Sequence, residues 1–384
     1  MTSAAEPPSE GTPPEPPPPP EGPGLPLAEA LAHGTVVLDG GLSNQLEAQG
    51  CDLSDDLWSA RLLADDPAQI EAAHAAYVRA GAQVLITSSY QASYEGFARR
   101  DLGRRQVDEL LRRSVHLARR AAARNEAAGR ADRTAGEAPG GAGAGAGAGG
   151  GAGGGAGDGG IGAAQTLVGR EPELPGGRRA GSGEAAAVGD GTVWVAGSVG
   201  PYGAMLADGS EYRGGYGLSV RELMGYHRPR IAALAAARPD VLALETVPDI
   251  DEAEAMLWAA EDCGVPVWLS YSIRGHLTRA GQPLERAFAL AADNEQVVAV
   301  GVNCCTPADA DGAVRLAGLV TGKPVVVYPN SGEDWDATAR DWRGRSTFDP
   351  ARVAAWRSEG ARLVGGCCRV GPNQIADLAA EVRG

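Results

Sequence analysis

The sequence predicts a single (β/α)8 barrel, and three observations carry that expectation. Eight short runs of β-branched and aliphatic residues recur along the chain, each followed by Gly, Pro or polar residues and then by an Ala/Leu/Arg/Glu-rich segment of helical spacing. The runs are almost continuously apolar, as strands of a parallel sheet covered on both faces must be. Once two low-complexity segments are set aside, about 300 residues remain, the size of one such barrel.

In order, the expected strands are Thr35–Asp39, Gln83–Thr87, Thr192–Gly197, Val241–Glu245, Val267–Tyr271, Val298–Asn303, Pro324–Tyr328 and Leu363–Gly366. An open doubly wound sheet would need a Gly-rich phosphate turn opening its first helix. The glycines of Gly151–Gly160 follow no apolar run and open no helical one, so they carry no such signal.

Two segments cannot join a core. Residues 1–26 hold eleven prolines and four glutamates with no Lys or Arg, a composition that buries too little apolar surface to fold. A disordered tail is expected there, with the barrel over residues 27–384. Between the second and third strands, residues 136–190 form a Gly/Ala-rich insertion in which positions 140–160 are Gly or Ala except for Asp158. Flexible coil looping outward is expected of it.

A formal charge of −15 disfavours nucleic acid and acidic lipid as partners. The chain shows neither the basic, then apolar start of a secretory signal nor a membrane-spanning apolar run, so a cytoplasmic protein is expected. Six cysteines in that setting point to metal ligands, nucleophiles or buried side chains rather than disulfides.

Chemistry on a parallel barrel collects at the carboxyl ends of the strands. Strand six ends Gly301-Val302-Asn303-Cys304-Cys305, strand eight ends Gly365-Gly366-Cys367-Cys368, and strands one and four end in Asp39 and Glu245. Neighbouring side chains on a regular strand face opposite ways, so Cys367 and Cys368 both reach one ion only where the backbone leaves strand geometry. Gly365 and Gly366 permit that departure.

The spacing lacks the CxxC pattern of common zinc sites, and vicinal cysteines are often core side chains, so both readings stand on spacing alone. Three thiolates with a fourth position open form the layout of a catalytic site for a soft metal and a soft substrate. Such an electron-rich centre favours displacement of an alkyl group from a cationic donor over hydrolysis, and the chain has five histidines and no HExxH. At the same rim, Asp39 and Glu245 suit the ammonium of an amino-acid substrate, and Gly40 and Gly41 admit backbone N–H groups to its carboxylate. Helix capping is the alternative for the two acids; Asp249, Asp251, Glu252 and Glu254 are read as acids near a helix N-terminus.

With these residues the sequence resembles the zinc-dependent homocysteine S-methyltransferases, especially the short type that uses S-methylmethionine. The resemblance covers nearly all of residues 34–380. It rests on Leu38-Asp39-Gly40-Gly41, Thr87-Ser88-Ser89-Tyr90-Gln91-Ala92, Gly197-Ser198-Val199-Gly200-Pro201-Tyr202-Gly203, Leu244-Glu245-Thr246, Gly301-Val302-Asn303-Cys304 and Gly365-Gly366-Cys367-Cys368. It implies one Zn(2+) per chain held by Cys304, Cys367 and Cys368, and methyl transfer from a sulfonium (S-methylmethionine, or S-adenosylmethionine) to homocysteine, forming methionine.

By the same resemblance Asp39 and Glu245 receive the homocysteine amino group, Asn303 joins the substrate-binding set, and Tyr90 and Tyr202 line the donor pocket. Cys305 is then a non-ligand, with Cys51 and Cys263 ordinary helix or loop residues. The alternatives are a betaine-dependent enzyme, a selenocysteine or other thiol methyltransferase on the same barrel, and a zinc-binding or redox thiol protein without turnover. The tail and the insertion are not features of that family.

Overall fold

In the computed structural model, which describes residues 23–54, 57–136, 191–336 and 341–384, eight parallel strands form the expected barrel. They are β1 (Val36–Val37), β2 (Val84–Ile86), β3 (Trp194–Val199), β4 (Val241–Val247), β5 (Val267–Tyr271), β6 (Val297–Asn303), β7 (Val325–Tyr328) and β8 (Ala361–Val364). Each strand pairs in parallel with its successor from β2 to β8, and β8 pairs with β1. The remaining seam is closed by a parallel bridge between Leu38 and Val84, with Gln83 N donating to Val37 O at 2.7 Å and Asp39 N to Val84 O at 3.0 Å. The tail up to residue 22 and residues 137–190 of the insertion lie outside the described residues.

Alternation along the strands sorts the core into two parts. Val36, Leu38, Val84, Trp194, Ala196, Val241, Ala243, Trp268, Ala299, Val326 and Leu363 fill the barrel interior as one buried cluster. The intervening residues Val37, Leu85, Val195, Leu242, Leu269, Val300, Val325 and Val364 face the surrounding helices in a second. The helix Leu27–His33 adds Leu27, Ala30 and Leu31 to the interior cluster. It sits against the amino end of the barrel, where Trp194 Nε1 at the start of β3 donates to Leu25 O at 2.9 Å. Leu25 and Pro26, read from composition as tail, therefore belong to the barrel floor, because Leu25 packs against the interior cluster and Pro26 is the N-cap residue of the helix.

Towards the carboxyl end the same inward positions turn polar. Ser198, Glu245, Ser270, Asn303 and Tyr328 continue the alternation begun by Trp194, Val241, Trp268, Ala299 and Val326, and all are buried. The lower barrel is thus a packed apolar plug, and its upper layer is a hydrogen-bonded floor for whatever lies above.

Candidate active site

That polar layer is closely knit. Glu245 accepts hydrogen bonds from Ser198 Oγ and, at 3.0 Å, from Tyr328 Oη. Ser270 Oγ lies 2.8 Å from Tyr328 Oη and donates to Asn303 Oδ1 at 2.9 Å. Asn303 also accepts from Thr246 N at 2.8 Å and donates to Thr246 Oγ1 at 2.7 Å. Asn303 is fully buried, and these bonds occupy its side-chain oxygen twice over, so it braces the ends of β4 and β6 and does not line the cavity above them.

Three sulfurs converge on this layer. Cys304 Sγ lies 2.9 Å from Cys367 Sγ and 3.7 Å from Cys368 Sγ, and the latter two are 4.0 Å apart. Zinc–sulfur bonds of about 2.3 Å in a tetrahedral site set sulfur–sulfur edges of roughly 3.8 Å. Two of the three edges match that figure, and the third is short yet well beyond a disulfide bond of about 2.05 Å. The trio is the one Cys/His/Asp/Glu group among the described residues whose ligand atoms suit a single ion. As free thiols, Cys304 is held well below the usual cysteine range, chiefly by hydrogen bonds from Cys367 and Cys368, whose own thiols are raised by the same interactions.

Local backbone explains the convergence. Cys304 has φ +48°, which turns its side chain out of the β6 alternation, while Cys305 points into the apolar layer around the barrel. After β8 the chain leaves the strand: Gly366 N bonds Asp39 O, Cys367 N bonds Pro329 O and Cys368 N bonds Asn330 Oδ1. Gly365 and Gly366 serve this turn through space rather than through dihedral freedom. A Cβ on Gly366 would stand 2.2 Å from the Val370 side chain, and one on Gly365 2.5 Å from Leu38 Cβ; the positive φ in the turn falls on Arg369, at +63°.

Gly40 and Gly41 obey the same logic. A Cβ on Gly40 would lie 2.1 Å from Val370 O and one on Gly41 2.7 Å from Cys367 O. Gly41 N already donates to Val370 O at 2.9 Å, so that N–H is not free to meet a substrate carboxylate. These glycines let the β1 end nest against the cysteine turn.

Asp39 is buried, with Oδ2 accepting from Ile86 N at 3.0 Å and Oδ1 without a partner. Burial raises its pKa well above the usual carboxylate range, and the nearby Glu245 adds to the rise. Glu245 is pushed up to about 7, again by burial first, with the bonds from Ser198 and Tyr328 working against it. Glu245 faces the same space as the sulfurs, and Asp39, close enough to feel its charge, is buried just behind that lining.

The space is a cavity of about 710 Å³, whose lining includes Glu245, Cys304, Cys367, Cys368, Tyr90 and Tyr212. Tyr90 is placed by two of the sequence motifs together. Buried Arg230 donates to Ser89 O, Tyr90 O and Gly200 O at 3.4, 2.9 and 3.0 Å, tying the segment after β2 to the one after β3. Gly200 leaves room for the Tyr90 ring, whose atoms would stand 2.6 Å from a Cβ there.

Tyr202 lies elsewhere. Its ring packs against Tyr216 and Tyr226 at centroid distances of 5.2 and 5.0 Å, and its N–H bonds Glu252, so it stands outside the cavity lining. Glu252, read as a first-turn acid, is a buried acceptor for Tyr202 N and pairs with His227 Nε2 at 3.0 Å. Asp249 does cap its helix, accepting from Glu252 N at 2.8 Å. Cys51 is a loop residue that does line the cavity, whereas Cys263 sits in a turn away from it.

A loop not singled out in the sequence completes the wall. Between Ala207 and Gly217 five residues take positive φ, and Gly215 N is anchored on Asp249 Oδ2 at 3.0 Å. The loop presents Glu211 and Tyr212 to the cavity, with Tyr212 Oη 3.7 Å from Cys304 Sγ and the Arg279 guanidinium 5.3 Å from the Tyr212 ring centre. Its Asp, Gly and Arg residues show no periodicity, which is why sequence patterning passes over it.

A parallel barrel carrying three convergent thiols and two buried acids on its carboxyl rim defines a protein equipped for sulfur chemistry on an amino-acid-sized ligand. The chain belongs to the homocysteine S-methyltransferase family, whose model it matches over residues 36–382. It is 39% identical over 362 residues to homocysteine S-methyltransferase 4 of Zea mays, covering 92% of this chain and 90% of that one. It is also 39% identical over 355 residues to the homocysteine S-methyltransferase of Escherichia coli K12, covering 90% and 94%. The crystal structure of an Escherichia coli homocysteine methyltransferase in its metallated form superposes with a TM-score of 0.67 at 36% identity, over 90% of this chain and 96% of that one. The protein is accordingly an enzyme of methyl transfer to homocysteine. Among the described residues no helix is long and apolar enough to cross a membrane.

Proposed function

We propose that the protein transfers a methyl group from a sulfonium donor, S-methylmethionine in the first place, to the sulfur of homocysteine, giving methionine. The observation that carries this reading is the meeting of Cys304, Cys367 and Cys368 within 4.0 Å of one another at a cavity that also holds Glu245. One Zn(2+) per chain, held by those three cysteines, would lower the pKa of an arriving thiol and leave a position open for it.

The remaining work falls to the chain's own residues. Asp39 and Glu245 receive the homocysteine ammonium, whose charge relieves the burial of the two acids. Ser198 and Tyr328 fix the Glu245 carboxylate, and Asn303 fixes the irregular end of β4 at Thr246. Tyr90 lies on the donor side, where an aromatic face attracts a cation. The acceptor sulfur forms a bond to the methyl carbon while the donor's carbon–sulfur bond breaks and its electron pair remains on the departing thioether. The thiol proton leaves to solvent.

The test compares methionine formation from homocysteine with S-methylmethionine, S-adenosylmethionine and betaine, and repeats the assay with selenocysteine as acceptor. Preference for S-methylmethionine and homocysteine is expected. Dominance of betaine, or of selenocysteine, would overturn the choice of donor or acceptor.

A further inference from the structure

In the proposed function Asp39 and Glu245 together answer one positive charge, the acceptor's ammonium. Besides the exposed Glu47 and Asp52, one further acid of the cavity lining is then left over. Glu211 lines the cavity from the loop after β3, beside Tyr212, and Tyr90 and Cys304 are its electrostatic neighbours. Its Oε2 is buried with no hydrogen-bond partner.

Of the nearby cations, exposed Arg213 offsets the Glu211 charge only in part. Arg213 lies 3.5 Å from Asp208 and 2.7 Å from Ser210 Oγ, and Arg279 donates to Ser272 Oγ at 3.2 Å while covering the Tyr212 ring. Glu211 forms no ion pair among the described residues. A carboxylate largely removed from water without a paired counter-charge is costly. Burial accordingly pushes Glu211 up to about 7. A ligand that brings a cation into the cavity removes that cost.

The chemistry of the site narrows the cation. An ammonium or guanidinium needs acceptors for each N–H; beside Glu211 stand the Tyr90 and Tyr212 rings, and Glu245, the other buried carboxylate of the lining, is taken by the acceptor's ammonium in the proposed function. A sulfonium has no N–H to satisfy; it is held by charge and by aromatic faces alone. Building on methyl transfer from a sulfonium, we infer that Glu211, with Tyr90 and Tyr212 beside it, is the specificity-determining residue for the methyl donor, its carboxylate answering the positive sulfur.

The balance of charge sets the kinetic signature. The donor's positive charge is complete when it binds and fades as the methyl group moves and the leaving sulfur becomes a neutral thioether. Glu211 therefore holds the bound donor at least as strongly as the transition state, and its loss falls on KM rather than on kcat.

The experiment uses the full-length zinc-loaded enzyme with S-methylmethionine at saturating homocysteine, in wild type, Glu211→Gln and Glu211→Asp. Glu211→Gln should raise the donor KM about tenfold or more while kcat changes far less, and Glu211→Asp should fall between the two. Zinc content and the calorimetric Kd for homocysteine should match wild type in both variants, as readouts that do not depend on turnover. An unchanged donor KM in Glu211→Gln, with wild type active on S-methylmethionine, overturns the inference and leaves the proposed function standing. A loss of homocysteine binding in Glu211→Gln also overturns it, since the acid would then serve the acceptor. If wild type takes methyl groups from no sulfonium at all, the proposed function fails and this inference with it.

Discussion

Asn303 and Thr246, 57 positions apart, exchange two hydrogen bonds: Thr246 N donates to Asn303 Oδ1 at 2.8 Å and Asn303 Nδ2 donates to Thr246 Oγ1 at 2.7 Å. Thr246 has φ +58°, a conformation that a β-branched residue adopts only when its surroundings insist. The pair locks the irregular end of β4, just past Glu245, to the end of β6 just before Cys304. Asn303→Ala leaves the buried Thr246 N–H without its acceptor and removes a bond from Ser270, and a loss of about 2–4 kcal/mol in urea unfolding is expected. A change under about 0.5 kcal/mol would mean that this strand end does not depend on the amide.

Cysteines inside and outside the trio should behave differently. Cys367→Ser should lose metal and activity together, because it removes one of the three converging sulfurs. Cys305→Ala, whose side chain belongs to the apolar layer outside the barrel, should keep its metal and lose only about 1 kcal/mol of stability. Metal analysis of the purified variants reads both; a Cys305→Ala protein without metal would show that the wrong sulfur has been assigned.

Glu245→Gln keeps the acceptor for Ser198 and Tyr328 and removes the charge. Homocysteine should bind the variant about 10- to 100-fold more weakly, with metal content unchanged. Calorimetric titration gives the Kd, and equal affinity in the two proteins would separate Glu245 from the ammonium.

Glu252 makes stability depend on pH. Burial lifts it from an ordinary 4.5 to about 8, with Asp249 adding to the rise and Tyr202 N, Tyr216 and Arg230 opposing it. His227 beside it is depressed well below the usual histidine range by burial and stays neutral over this interval. Because the folded state binds the Glu252 proton more tightly than the unfolded chain, this acid destabilises the fold above about pH 8. That cost diminishes as the pH falls through about 8 towards 4.5. Relative to Glu252→Gln, wild type should therefore gain stability between pH 8.5 and pH 5.5, on the order of 1–3 kcal/mol. Urea midpoints at the two pH values measure it, and a difference that does not move with pH would contradict the assignment.

Much of the barrel was legible because a parallel strand covered on both sides needs an unbroken apolar run. Val267–Tyr271 matches β5 at both ends, while β3, β4 and β8 start or finish two residues from their expected bounds. Those ends are set by inter-strand hydrogen bonds, which composition does not encode. For the thiols, spacing and glycines left two readings open and the family resemblance singled out Cys304, Cys367 and Cys368; the glycines act by close packing against Val370 and Leu38.

What patterning missed depends on distant partners. Glu252 is a first-turn acid as read, but its burial against His227 and Tyr202, 25 and 50 positions away, was not legible. Tyr202 sits in a motif beside the site yet turns to Tyr216 and Tyr226, and Arg230 bears the Tyr90 segment from the middle of a helix. Glu211 and Tyr212 ride on an aperiodic loop whose course is set by glycines and by Asp249.

X-ray absorption at the zinc edge bears most directly on the central claim. The zinc-loaded protein should show three sulfur neighbours at about 2.3 Å with one lighter atom, and homocysteine should convert the shell to four sulfurs. A shell of nitrogen and oxygen alone, or one that homocysteine leaves unaltered, would contradict it.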